Sequence, residues 1–393
     1  MRALLLVLEP FGAGHFPDGS GVSTPDSLGQ LFHAIPDLEL PTLFSLGLEE
    51  IMKGRVFDPP AKECAASYGR MIQRSAGADS LSGLWELAGV IAERPFTAAD
   101  QLITKECAAV LSSKCGVEFL PNPSGNPRLL TESRELDALR KEHLRSGSPI
   151  LTFSADSHLH IAAHESTLPP MRLTQICRIV RQHCDVWRIA CVTGQLLAGP
   201  PEAWKSAAPA LRLAMVPPRT LLNALSEKGL PVVALSGIND AFARSGITRA
   251  YPTSSAAESM QVIERLWDSP QNGMIFAHFG NLDQEGVRGF ARALETFDTW
   301  LGTFLEQIES DDLLILTGSN GSDPAALRPE HPRQEVPVLV RYGGRNAPLG
   351  LRETFADVAA TLTSFFGIDE RSRLGTAGEP LITFHRPRGI SGP

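Results

Sequence analysis

Met274-Ile275-Phe276-Ala277-His278-Phe279 is followed by a spaced series of large apolar residues, Phe290, Leu294, Phe297, Leu301, Phe304 and Ile308, and then by Leu313-Leu314-Ile315-Leu316. The first and last pieces are short apolar runs of the length of buried strands. Between them, steps of four and three place all six residues on one face of a long helix that packs a core. Strand, helix, strand in that order is the repeating unit of an α/β sheet.

The alternation extends in both directions. Val232–Leu235 reads as a strand and Ala256–Trp267 as a helix; Val338–Val340 reads as a strand and Arg352–Phe366 as a helix. Near the N-terminus, Ala3-Leu4-Leu5-Leu6-Val7-Leu8 is a continuous apolar run closed by Glu9, and a loop rich in Gly, Pro and Asp runs from Pro10 to Ser27. The run is too short for a signal-peptide apolar region or a bilayer span, so it is expected to be a buried first strand. The whole predicts an α/β sheet between helices.

The middle of the chain reads differently. A helix over Glu132–Arg145, a strand over Ile150–Phe153, a helix over Leu173–Cys184 and a strand over Trp187–Val192 are flanked by Pro95, Pro200-Pro201 and Pro217-Pro218. This block, 93–213, is expected to be a smaller α+β domain inserted into a discontinuous core domain of residues 1–92 and 214–393. A chain of 393 residues has the length for two such domains.

Composition narrows the class. Hydrophobic residues make up 43% and charged residues 20%, ordinary for a soluble globular protein. Net charge is −8 with scattered Lys and Arg. Nucleic-acid and anionic-membrane surfaces need a concentrated basic patch, so neither partner is expected. Cys64, Cys107, Cys115, Cys177, Cys184 and Cys191 form no C-x-x-C pair. They read as free, mostly buried thiols in a reducing cytoplasm.

Four places carry candidate chemistry. Gly12-Ala13-Gly14 begins like a dinucleotide fingerprint but lacks the third glycine, and a turn is expected there. In Asp156-Ser157-His158-Leu159-His160-Ile161-Ala162-Ala163-His164, an extended backbone projects Asp156, His158 and His160 from one face. Three imidazoles and a carboxylate are transition-metal ligands; surface or hydrogen-bonded histidines are the competing reading. Asp79-Ser80-Leu81-Ser82-Gly83 reads alone as a turn or a helix N-cap. Asp283 and His331 draw interest only through a position at strand ends, where α/β proteins build sites.

Several stretches, in order along nearly the whole chain, resemble the phosphopentomutases of the alkaline-phosphatase superfamily. They are Pro17-Asp18, Asp26-Ser27-Leu28-Gly29, Leu40-Pro41-Thr42-Leu43, Leu46-Gly47-Leu48 and Trp85-Glu86. Further on come Ser154-Ala155-Asp156-Ser157, Ile161-Ala162-Ala163-His164-Glu165, Asp311-Asp312-Leu313-Leu314 and Gly350-Leu351-Arg352-Glu353-Thr354-Phe355-Ala356-Asp357. The resemblance implies an alkaline-phosphatase-like core with an inserted cap. It also implies interconversion of ribose or deoxyribose 1-phosphate and 5-phosphate, with two divalent metals, usually manganese, flanking a phosphorylated threonine.

Carried over position by position, the resemblance makes Ser80 the nucleophile in place of threonine. Glu9 stands for a metal Asp, Asp283 and His331 match a metal Asp and a metal His, and Ser154 and Asp156 fall near the sugar. Other positions depart from the pattern. Gly318-Ser319-Asn320-Gly321 replaces Ala-Asp-His-Gly, Gln284-Glu285-Gly286-Val287 holds no His, Leu84 replaces a His, and Val192-Thr193-Gly194-Gln195 holds no phosphate-gripping Arg. Gly237 replaces a Lys, although Asp240 remains. Hydroxyls and amides are weak metal ligands, and a site needs three or four protein ligands.

The expectation is therefore a phosphopentomutase-like protein without two-metal turnover. It would hold at most one divalent metal: manganese or magnesium, or zinc if His158, His160 and His164 bind. It would keep a pentose-phosphate-like ligand in a binding or regulatory role. The rival expectations are a repurposed metal-dependent phosphatase or other hydrolase, and a slow genuine mutase.

Overall fold

The computed structural model describes residues 1–14, 26–60, 63–77, 79–97, 105–122, 129–132, 136–154, 157–200, 202–269, 272–280, 282, 285–320, 335–368 and 378–384. Strands in chain order are β1 (Arg2–Leu8), β2 (Ser67–Ile72), β3 (Leu120–Pro121), β4 (Ile150–Ser154), β5 (His158–His164), β6 (Cys191–Ala198) and β7 (Lys205–Ser206). They continue with β8 (Leu211–Ala214), β9 (Val232–Leu235), β10 (Arg249–Tyr251), β11 (Gly273–Phe279), β12 (Leu313–Gly318), β13 (Glu335–Arg341) and β14 (Pro348–Arg352).

Eight strands form one sheet in the order β10-β9-β11-β1-β12-β13-β2-β14. Strands β10 to β12 run parallel, β13 is antiparallel to both of its neighbours, and β14 returns parallel to β2. The apolar run at the N-terminus becomes the central strand β1, because a strand covered on both faces must be apolar at every position. Ala3 to Leu8 are all buried. Leu4, Leu6 and Leu8 join one core with Phe290, Leu294, Phe297, Leu301 and Phe304 of the helix Gly286–Phe304. Ala3, Leu5 and Val7 point to the other face by strand alternation. The helix Ala356–Phe366 packs against Ser80–Leu87 and Leu221–Glu227. This is the α/β class with helices on both faces.

Several boundaries differ from expectation. The long helix ends at Phe304, and a single 3-10 turn follows before the buried Ile308. Arg352 belongs to strand β14, not to the helix, which starts at Ala356; Thr354 and Phe355 are held by the buried Glu86, whose Oε1 accepts from Thr354 Oγ1 at 2.8 Å and from Phe355 N at 2.9 Å. The strand expected over Trp187–Val192 begins only at Cys191, because Arg188 takes a left-handed φ of 53° and turns the chain. The helix expected over Glu132–Arg145 is seen as Leu129–Glu132 and Asp137–Ser146.

The chain divides into two compact units, one of Met1–Arg94, Pro217–Asn239 and Arg244–Pro393, the other of Pro95–Val216 and Asp240–Ala243. The second unit carries its own sheet, β3-β4-β5-β6-β7, with β8 paired to β6. Leu151, Phe153, Leu159, Ile161 and Val192 of that sheet share a core with Cys115, Leu173, Ile176, Cys177 and Val180 from the helices Lys105–Cys115 and Pro170–Cys184. All six cysteines are free thiols. Among the described residues, no helix is long and apolar enough to cross a membrane.

Candidate active site

Parallel pairing brings the ends of β11, β1 and β12 to one edge of the first unit's sheet, the edge where open α/β sheets place ligands. Val7 faces His278 and Leu8 faces Phe279 on one side, while Leu8 faces Gly318 on the other. Glu9 therefore leaves β1 between His278 and the Ser319-Asn320 pair. Its backbone is pinned on both sides: Glu9 N donates to Phe279 O at 2.9 Å, and Leu282 N donates to Glu9 O at 3.1 Å.

The helix Ser80–Leu87 supplies the fourth wall. Asp79 is its N-cap, accepting from Ser82 N at 2.8 Å, so Ser80 is the first helical residue. Asp79 Oδ2 also accepts from Ser82 Oγ at 2.7 Å, and the buried Gln73 donates to Ser82 Oγ at 3.1 Å. The N-cap reading of this segment is what the structure has.

Four side chains converge on the Glu9 carboxylate. Ser80 Oγ and Asn320 Nδ2 (3.3 Å) donate to Oε1, and His278 Nε2 (2.8 Å) and Ser319 Oγ (2.7 Å) donate to Oε2. A carboxylate only accepts, so Nε2 is the protonated nitrogen of His278 in this contact. Asn320 Nδ2 also donates to Ser80 Oγ at 2.8 Å. Burial pushes the Glu9 carboxyl upward, but the hydrogen bond and charge of His278, with the Ser80 and Ser319 hydroxyls, outweigh it and hold the group at about 2.

A carboxylate offers about four lone-pair directions, and here each oxygen accepts two hydrogen bonds. The described residues hold no group of three or more His, Cys, Asp or Glu side chains that could hold a metal ion. Among the described residues the centre offers one carboxylate, one imidazole, two hydroxyls and an amide, fewer anionic and imidazole ligands than a divalent ion takes; Asp283 and His331, which the resemblance adds, lie outside them. Glu9, expected as a metal ligand, accepts hydrogen bonds from Ser80, Asn320, His278 and Ser319 here.

Glu9 and Ser80 are thus brought together from 71 positions apart. Asp283, His331 and Asp156 lie outside the described residues. Ser154 belongs to the second unit, where its Oγ donates to His158 O at 3.2 Å and meets His160 Nε2 at 3.1 Å. The three histidines of β5 do not form one site. His158 and His160 are neighbours, with ring centroids 6.0 Å apart. At ~3.3 Å per strand residue, His164 is ~13 Å beyond His160. Its Nδ1 meets Ser166 Oγ at 2.7 Å, its Nε2 meets Gly199 O at 2.9 Å, and its ring lies on Trp204. His164 is a core residue.

Sequence reasoning missed His278. The signal was available: it is the single polar side chain in an otherwise apolar buried strand, one residue before that strand ends at the site edge.

A family model described as the Metalloenzyme superfamily matches residues 239–370. A phosphopentomutase from Anaeromyxobacter dehalogenans is 34% identical over 385 residues, covering 96% of this chain and 97% of the relative. Another, from Caldanaerobacter subterraneus subsp. tengcongensis, is 33% identical and covers 93% and 94%. Among solved structures, a Leishmania mexicana phosphoglycerate mutase is similar with a TM-score of 0.47 and 11% identity, covering 93% of this chain and 95% of that one. On the identity and near-complete mutual coverage of the relatives, the chain belongs to the phosphopentomutase family.

Proposed function

We propose that this family member no longer performs two-metal phosphoryl transfer and acts as a binding or regulatory protein for a pentose-phosphate-like small molecule. One observation carries the reading. Ser319 and Asn320 occupy the positions where the resemblance puts an Asp–His metal pair; Ser319 donates to Glu9, and Asn320 donates to Glu9 and Ser80. A hydroxyl and an amide in place of a carboxylate and an imidazole leave the centre short of the anionic and imidazole ligands that a divalent ion favours.

The state of Ser80 supports the same reading. Its hydroxyl proton points to Glu9, a carboxylate held at about 2, which is a poor proton acceptor at neutral pH. Nothing in the cage raises the nucleophilicity of that oxygen. Asp283 and His331 remain the sequence's candidates for a single divalent ion, and Ser154 and Asp156 for sugar contacts. With its free thiols, the protein fits a reducing cytoplasm.

Purified protein given ribose 1-phosphate and manganese is expected to form no ribose 5-phosphate, and elemental analysis is expected to find fewer than two ions per chain. Manganese-dependent turnover that disappears in Ser80→Ala would overturn the proposal.

A further inference from the structure

At the opposite edge of the same sheet, we propose, lies a second small-molecule site, which takes a short-chain carboxylate. A hollow of about 60 Å³ opens there, between the starts of β1, β9, β10 and β11 and the end of the helix Ala256–Trp267. Arg2 begins β1 at this edge and Glu9 follows its far end, so ~23 Å separate the two places at ~3.3 Å per strand residue.

Strand register sets the walls. Arg249 stands opposite Val233, Val233 opposite Ile275, and Ile275 opposite Leu4. The last three belong to the core under the long helix, so Arg249 lies on that face of the sheet. Arg2, two residues before Leu4, lies on it as well. The residue facing Arg2 is Gly273, at a left-handed φ of 140°, where a Cβ would stand 2.5 Å from the Pro231 carbonyl oxygen. No side chain therefore enters the space between Arg2 and Pro231, and Leu266 and Trp267 line its helix side.

The two arginines differ in what holds them. Arg2 is a fixed wall: its Nε (2.9 Å) and Nη2 donate to the Asp312 carboxylate, and its Nη1 donates to Trp267 O at 3.1 Å. Its guanidinium lies 4.6 Å from the centre of the Trp267 ring. Asp312 compensates that charge. Arg249 is exposed and has no hydrogen-bond or ion-pair partner among the described residues, yet a guanidinium stays protonated throughout the working pH range. An apolar hollow beside an uncompensated cation suits a ligand that has both an apolar tail and an anionic head. Inorganic phosphate would leave the Val233, Leu266 and Trp267 surfaces wet, and a neutral molecule would leave Arg249 without a counter-charge. A cavity of ~150 Å³ holds benzene, so this smaller hollow takes a tail of about three carbons, with the carboxylate at the mouth in the planar fork of Arg249. Butyrate has those dimensions.

Equilibrium dialysis of radiolabelled butyrate against the full chain, at ionic strength held constant with chloride, tests the site. One saturable site per chain is expected, half-filled at millimolar butyrate. Arg249→Gln is expected to weaken binding ~tenfold, the worth of one charge-assisted contact, and Arg249→Lys to fall between it and wild type. Thermal midpoints of both variants should match wild type, because the side chain is exposed and unpaired among the described residues. Glu9→Gln is expected to bind butyrate as wild type does, which separates this site from the Glu9 centre. Excess butanamide or inorganic phosphate should not displace the label. Non-saturable uptake, unchanged binding in Arg249→Gln, lost binding in Glu9→Gln, or displacement by either competitor would each overturn the inference.

Discussion

Gly83 lies so close to Ser319 that a β-carbon on Gly83 would stand 1.9 Å from the Ser319 carbonyl oxygen. The absent side chain lets the helix bearing Ser80 seat directly on the end of β12, and that seating delivers the Ser80 hydroxyl and the Ser319 hydroxyl to one carboxylate.

Gly83→Ala is therefore expected to push the helix off the strand. The obstruction is backbone, which cannot rotate away as a side-chain tip can. Overpacking of this kind costs up to ~3 kcal/mol, and more when the backbone cannot move. Chemical denaturation of Gly83→Ala should show the loss, and it should exceed that of Ser80→Ala, which removes the hydroxyl's hydrogen bonds to Glu9 and Asn320 without moving the helix.

Glu9 gives the centre an acid limit. Its carboxyl sits at about 2 in the fold against an ordinary value of 4.5, so the folded state prefers the ionised form. The resulting stability is fully present above pH 4.5 and is lost as pH falls from there through about 2. The linkage is of order 3 kcal/mol. Urea midpoints measured between pH 6 and pH 3 should fall more steeply for wild type than for Glu9→Gln, whose amide does not titrate. Parallel curves would show that the cage does not favour the anion.

How far the sequence revealed this protein depends on where each element's information lies. Val232–Leu235 and Ala256–Trp267 were read to the residue, because a doubly covered strand is apolar throughout and an amphipathic helix repeats every 3.6 residues. Strand β14 went unread, with only its last residue, Arg352, taken into the following helix, because all five of its residues are only half-buried, leaving no apolar run to mark an edge strand. Strand β2 went unread because its interior holds Gly69 and Arg70; the latter is buried against Glu335 at 3.4 Å, a partner 265 positions away that no local pattern discloses. The site divides the same way. Ser80 and Glu9 were reachable through motif resemblance, but the direction of Asn320 and Ser319, inward as donors, is a property of rotamers and strand register. His278 was visible as a polar intruder in an apolar strand, though only the pairing with β1 gives it a role.

A second carboxylate shows what a buried acid does when its partners are backbone amides. Asp298, on the long helix, is 1% exposed and accepts from Thr42 N at 3.1 Å and Leu43 N at 2.7 Å, satisfying the first turn of the helix Pro41–Ser45. Burial raises its carboxyl against the lowering effect of those amides. Asp298→Ala would strand two buried N–H groups, at ~1–3 kcal/mol each. Asp298→Asn keeps an acceptor and removes the cost of burying a charge, so it should retain most of the stability. Denaturation midpoints of the two variants check the order; equal losses would mean that charge, not acceptance, matters here.

The second unit contains a proton-sensitive lock at His143, and its tautomer follows from its partners. Nδ1 lies 2.7 Å from the Ser148 carbonyl, which can only accept, so Nδ1 carries the hydrogen. Nε2 receives the His164 backbone N–H at 2.8 Å, which can only donate, so Nε2 is bare. The Thr167 hydroxyl also lies 2.8 Å from Nε2. Protonating Nε2 would set N–H against N–H inside the fold. Burial accordingly pushes the His143 imidazole below its ordinary 6.5, with the neighbouring His164 acting the same way and the Ser148 carbonyl opposing. A histidine depressed by folding contributes stability that is complete above pH 6.5 and declines as pH falls below it, until the folded form also protonates. The slope is at most ~1.4 kcal/mol per pH unit for one proton. Trp204, edge-on to His143 at 5.7 Å between ring centroids, provides a local fluorescence reporter of unfolding. Between pH 7.5 and 5.5, wild type should lose denaturant resistance faster than His143→Gln. The variant should start less stable at pH 7.5, since its amide cannot span both the Ser148 carbonyl and the His164 N–H. If the two pH profiles run parallel, His143 is not the group that senses acid in this unit.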